Sequence, residues 1–321
     1  MARFSKFTFL LILLASLLAP VSSWAESADD LLAAGRVDDA IRQLQATVQS
    51  NSNDGAAYNL LCRAYFSLSQ WDRSINACEK AVAADPGNGL YHLWLGRAYG
   101  EKADSSSFVT AAFLAKKVRS EFETAVRLSP DNVDAHADLA EFYLEAPGVV
   151  GGGRDKAEAQ ARTLDKLDPA KALYVKGRIA EKNKDTAAAE RDYRDAIEAS
   201  HGSANAWLNL ALFFRHQQRL DDMEDALNHA ASAQMSEGIL MEAAEMLIRA
   251  GRNFPAAIQM LERYLSHSTV EAAPAFKAHY LLGTVFEKQG DKQAAEQQYR
   301  AALSMAKDFS RAQEGLSRVT R

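Results

Sequence analysis

Residues 55–88 read GAAYNLLCRAYFSLSQWDRSINACEKAVAADPGN. Tyr58, Leu61, Cys62 and Tyr65 fall at the spacing that places them on one face of a helix. Beyond the turn, Ser74, Cys78 and Ala81 share a face of a second helix, and Pro86 stops it. The small residue in the middle of the first helix returns along the chain as Cys62, Gly96, Ala140, Gly177, Ala211 and Gly283. Two of these intervals, Cys62 to Gly96 and Gly177 to Ala211, are 34 residues. A helix pair repeated at such a period buries its apolar face only against its neighbours, so the chain is a stack rather than a globule. Its product is a superhelix with a curved inner surface, and partner recognition is the first function to consider.

The neighbouring copies keep the same template. Leu95, Gly96, Tyr99, Phe122, Ala125 and Pro130 form one; Leu139, Ala140, Tyr143, Ala157, Leu164 and Pro169 form the next; Gly177, Ala189, Tyr193 and Ala196 follow. Trp207, Leu210, Ala211, Phe214, Leu227 and Ala230 continue it, and Leu282, Gly283, Phe286, Ala295, Tyr299 and Ala302 close it. This pattern resembles the tetratricopeptide repeat, whose units carry a bulky residue, a large-small pair and an aromatic on the first helix. The resemblance implies an all-α, right-handed superhelix, an α-solenoid of about seven helix-turn-helix repeats with end caps. It divides the chain into an export signal (1–25), an N-terminal capping half-repeat (26–54), the solenoid (55–309) and a C-terminal capping helix (310–321). One segment departs from it: Glu245 stands where a small residue is expected between Gly238 and His267, which implies a one-residue register change.

The first 25 residues combine Arg3 and Lys6, an apolar run from Phe7 to Ala19, Pro20, and Ser23-Trp24-Ala25 before Glu26. That is the arrangement of a secretory signal cleaved after Ala25; the run is shorter than the ~20 residues of a spanning helix. No stable membrane insertion is expected after cleavage. Loss of Arg3 and Lys6 moves the formal net charge from −5 to −7. An acidic chain without a basic stripe is a poor nucleic-acid binder, and the absence of an Asn-x-Ser/Thr sequon favours a bacterial periplasm, with the mature protein soluble there. Two inserts, 100–117 and 145–156, interrupt the period and are expected to emerge as loops; in the first the extra residues run through EKADSSSFVT, and the AAFLAKK that follows can lengthen the second helix.

Gly148, Gly151, Gly152 and Gly153 invite a phosphate-loop reading, but no Gly-Lys-Ser/Thr follows, and a helix-helix turn accounts for them. His92, His136 and His279 share the fourth position of their first helices. Stacking separates them by roughly 10 Å, too far to share a metal, so local hydrogen bonding of the rings is expected. Cys62 and Cys78 mirror each other about the turn of one helix pair. They are a candidate disulfide in an oxidising compartment; two small packing residues would satisfy the pattern equally. No residue set for nucleophilic, acid-base, metal or cofactor chemistry is present, so a non-enzymatic role is expected, with no cofactor.

The resemblance also implies a groove. Its positions, carried onto this sequence, are Asn59, Arg63, Leu93, Arg97, Ala137, Glu141, Tyr174, Arg178, Leu208, Leu212, Arg215 and Tyr280. Arginines interleaved with tyrosine and leucine suit a protein or peptide segment bearing carboxylates and apolar anchors. The resulting expectation is a non-catalytic adaptor outside the cytoplasm that binds a partner segment in the concave groove. The alternative is a repeat subunit of an envelope secretion, polysaccharide or protease machine whose catalytic site lies in another chain.

Overall fold

A computed structural model of the protein describes residues 26–233, 238–267 and 269–321. The export signal read in residues 1–25 lies outside the described residues. Within them the regular structure is helical, with seventeen α-helices and no strand. Seven full pairs follow one another: α3 (Gly55–Ser67) with α4 (Trp71–Ala84), α5 (Gly89–Asp104) with α6 (Phe108–Leu128), and α7 (Val133–Glu145) with α8 (Arg154–Leu167). They continue with α9 (Pro169–Lys182) and α10 (Thr186–Ala199), α11 (Ala204–His216) and α12 (Leu220–Ser232), α13 (Ile239–Ala250) and α14 (Phe254–Leu265), and α15 (Ala275–Gln289) and α16 (Lys292–Met305). A short α1 (Ala28–Ala33) with α2 (Val37–Ser50) precedes them, and α17 (Ser310–Val319) follows.

Local chemistry sets the punctuation. Asp54, Asn132, Asp168, Asp185, Ser203 and Asp291 accept from the backbone N–H three residues on, which satisfies one of the amides left without a partner at a helix start. The regular turn inside a pair closes through a left-handed residue: Gly35, Ser69, Lys184, Gln218, Gly251 and Gly290 all have positive φ, and in the turn of Gly251, Asn253 is a second. The two pairs that carry the inserts turn differently. In the first, α5 runs on to Asp104 and α6 starts at Phe108, so the expected loop is extra helix. In the second, Gly148–Val150 form a single 3-10 turn before Gly151 reverses the chain at positive φ.

The small residues are where helices touch. A Cβ on Gly96 would lie 2.5 Å from the Phe122 ring, and one on Gly283 2.6 Å from the Tyr299 ring. The ring of the second helix therefore occupies the space the first helix leaves. In the irregular segment Ala244, wholly buried, takes the small position one residue before Glu245.

The two ends meet. Leu31, Leu32 and Val37 share one apolar cluster with Phe276, Phe309 and Val319. Thr269 Oγ1 donates to Ala33 O at 2.7 Å, and Lys307 N to Asp38 Oδ2 at 2.9 Å. Gly35 lies so close to Ala275 that a Cβ there would come within 2.6 Å of its backbone nitrogen. The N-terminal segment thus packs against the last full pair as well as against α3, and the superhelix closes after one turn.

Candidate functional site

Each first helix packs against its own second helix and, in most of the stack, against the first helix of the next pair. The first helices therefore form the inner layer, and the groove positions lie along it. Their side chains fall into two groups.

From α3 to α9 the charged groove positions are already paired. Arg97 Nε donates to Asp138 Oδ2 at 2.6 Å, tying α5 to α7. Arg178 donates to Glu141, to Glu145 at 3.2 Å and to Glu181 at 3.3 Å, tying α9 to α7. Arg63 Nε donates to Glu271 at 2.7 Å and so joins the first full pair to the segment before α15. Trp94 lies between the guanidinium groups of Arg63 and Arg97, at 5.6 and 5.0 Å from its ring centroid. Asn59 and Leu93 are buried in the helix packing, 3 % and 2 % exposed, and offer a partner little surface. Burial and the nearby Glu141 push the Tyr174 phenol up to about 12. Tyr280 packs edge-on to Phe309, with ring centroids 5.3 Å apart, inside the closing contact.

From α11 to α13 the wall is different. Leu208, Leu212, Met246, Arg215, Arg249, Glu242 and Glu245 line a cleft of about 340 Å³. Arg249 and Glu245 satisfy each other at 2.5 Å, one helical turn apart. The Arg215 guanidinium has no hydrogen-bond or ion-pair partner among the described residues; burial, and then Arg249, hold it below the ordinary arginine value. Burial, and then the charge of Glu245, hold the Glu242 carboxyl above the ordinary carboxylate range. Leu208, Leu212 and Arg215 are groove positions read from the sequence. Glu242, Glu245, Met246 and Arg249 are additions, and a one-residue shift of the template along α13 is the signal that finds Glu245.

The remaining candidates have local roles. Cys62 and Cys78 are bonded, with Cα atoms 5.1 Å apart, across α3 and α4. His92 hydrogen-bonds to Glu121 at 2.6 Å and His136 to Gln160 at 2.7 Å, each with its second ring nitrogen on the carbonyl six residues earlier. His279 hydrogen-bonds to Gln298 at 2.7 Å. Each ring thus ties a first helix to the second helix of its own pair.

The sequence profile described as tetratricopeptide repeat matches residues 26–89, 59–104, 174–237 and 241–312. No curated protein matches the chain. Among solved structures, yeast Tom70 is 13 % identical with a TM-score of 0.54, the match covering 95 % of this chain and 66 % of that one. A thermophilic TPR protein of Thermus thermophilus is 20 % identical over 58 % of this chain and 95 % of its own, with a TM-score of 0.48. A tetratricopeptide repeat protein of Parabacteroides merdae is 17 % identical over 87 % of this chain and 100 % of its own, with a TM-score of 0.42.

Proposed function

Because the chain belongs to the tetratricopeptide repeat family, we propose that it is an exported, non-catalytic scaffold that holds a segment of a partner protein against its inner wall. Arg215 carries this reading: among the described residues its guanidinium has no internal partner, and it faces a cleft floored by Leu208, Leu212 and Met246. Elsewhere on the wall Arg63, Arg97 and Arg178 have carboxylates of this chain, so a partner would have to displace an existing ion pair. A carboxylate beside an apolar side chain completes the cleft, since Arg215 donates to it in bidentate fashion and the leucines cover its neighbour. Export is supported by residues 1–25 and by the Cys62–Cys78 bond, which persists in oxidising compartments.

The test is photo-crosslinking in the native envelope, with a benzophenone amino acid placed at Leu212 on the inner wall or at Arg191 on an outer helix. The proposal expects discrete crosslinked partners from position 212 and none of these from position 191. The reverse pattern would move recognition to the outer face.

A further inference from the structure

A second concavity lies outside the inner wall, among α8, α9 and α10, and a break in the repeat enlarges it. Three residues after the small residue of the first helix stands an aromatic: Tyr65, Tyr99, Tyr143, Phe214 and Phe286 follow Cys62, Gly96, Ala140, Ala211 and Gly283. The first four of these rings are at most 8 % exposed. The tyrosine hydroxyls reach back to the preceding second helix, Tyr65 to Gln45 at 3.1 Å, Tyr99 to Glu79 at 2.6 Å and Tyr143 to Glu123 at 2.8 Å. In α13 the residue three after Ala244 is Leu247, still large and buried, whereas in α9 the residue three after Gly177 is Ala180, which fills no such space. On α8, Arg162 follows the packing residue Ala161, as Gln45, Glu79 and Glu123 follow Leu44, Cys78 and Phe122.

Both halves of the contact have therefore changed together. The ring is absent, and the polar group that met its hydroxyl has become a cation. The slot here measures about 560 Å³, with Ala161, Ile179, Ala180 and Ala188 on its apolar side, against about 410 Å³ for the equivalent cleft among α2, α3 and α4, where Tyr65 is in place. It is larger than the inner-wall cleft and of a size that encloses an aromatic side chain. Its other cations are satisfied within the chain, Arg154 by Glu158 at 2.8 Å and Lys176 by Asp165 at 2.6 Å. The Arg162 side chain is exposed and has no hydrogen-bond or ion-pair partner among the described residues.

We propose that this slot is a docking site for an aromatic side chain next to a carboxylate, carried on an extended segment of a partner protein. The ring takes the space above Ala180 that Tyr65, Tyr99 and Tyr143 fill in their own repeats, and the carboxylate pairs with Arg162. Shape is set by the repeat itself and sign by the arginine. The site is independent of the inner wall: Arg178 and Ala180 are two residues apart on α9 and point to opposite sides of it.

The experiment uses the tripeptide amide acetyl-Asp-Phe-Asp as probe, with the Ile179 methyl group of the isotope-labelled protein as reporter in NMR titrations. The expected result is a saturable shift of Ile179 that acetyl-Asn-Phe-Asn and acetyl-Asp-Ala-Asp amides do not produce at the same concentrations. Ala180→Tyr, which restores the ring of the other repeats, should abolish the shift while the protein stays folded and melts no lower than the parent. Arg162→Glu changes an exposed side chain and should weaken the probe tenfold or more without affecting folding. No saturable shift at Ile179, or equal affinity in either variant, overturns the proposal. Phe108, at the start of α6, is an exposed aromatic of this chain, so concentration-dependent self-association that both Ala180→Tyr and Phe108→Ser dissolve would also overturn the proposal, by giving the slot to a second copy.

Discussion

The inner wall from α5 to α9 and the inner wall from α11 to α13 are built from the same repeat positions, yet their charges are arranged in opposite ways. Along α5, α7 and α9, Arg97 and Arg178 meet Asp138, Glu141, Glu145 and Glu181, and Lys182 joins Glu145 at 2.5 Å. Each bond crosses from one helix to another or runs along one, so the charges act as ties that fix the angle between repeats. Along α11 and α13, among the described residues, Glu245 and Arg249 pair within one helix, while Arg215 and Glu242 face the cleft without partners. A groove arginine is therefore not evidence of a ligand site until its neighbours are known. The same residue type at the same position is a tie where the next repeat offers a carboxylate, and a binding group where it does not.

The sharpest way to break this comparison is to remove one arginine from each stretch. The Arg178 side chain is 17 % exposed and serves three carboxylates; its loss leaves Glu141 without a partner among the described residues, while Glu145 keeps Lys182 and Glu181 keeps Tyr193 and His216. Arg178→Ala should lower the unfolding free energy by about 2 kcal/mol, the scale of charged hydrogen bonds left unmade. Arg215→Ala removes no internal bond and should stay within about 0.5 kcal/mol of the parent. Urea titrations of the two variants decide it; equal effects would erase the distinction between tie and binding group.

A smaller effect concerns pH. Burial raises the Glu242 carboxyl in the folded chain, with the charge of Glu245 adding to it. A carboxyl raised on folding contributes stability only below its unfolded value, and that contribution is lost as pH rises through the folded value. Glu242→Gln should therefore raise the melting temperature at pH 7, and the gain should vanish below about pH 4. Glu287 supplies the opposite sign, because hydrogen bonding from Arg318 lowers its carboxyl. Glu287→Gln should lower the melting temperature at pH 7, with the difference closing in acid. A melting temperature for Glu242→Gln that is unchanged or lower at pH 7 would mean that the α13 wall is not desolvated.

The helix pairs and their contacts are legible in the sequence because they are local and periodic. Gly96, Gly177 and Gly283 fall at one position of a repeated pattern, and each meets a ring of its own second helix. The resemblance likewise brings Leu208, Leu212 and Arg215 into one set, and they do share the inner cleft. Pairing between repeats is not written in any single repeat. Arg63 and Glu271 are 208 residues apart, and only closure of the superhelix brings them together. Asn59 and Leu93 sit at groove positions by number but are buried, because neighbouring first helices crowd them. AAFLAKK lengthens α6 as its apolar and small pattern suggests, whereas EKADSSSFVT, legible as a loop from its three serines, is helical on both sides of them because α5 runs on to Asp104 and α6 begins at Phe108.

If the partner is held at α11 and α13 and not by the paired arginines, its affinity must depend on Arg215. The most direct measurement is the dissociation constant of the crosslinked partner for the parent protein, for Arg215→Gln and for Arg127→Gln, which changes an exposed arginine of α6 on the outer layer. The expected result is that Arg215→Gln weakens binding roughly tenfold and that Arg127→Gln leaves it unchanged. Parent affinity in Arg215→Gln, with loss in Arg127→Gln, would contradict it.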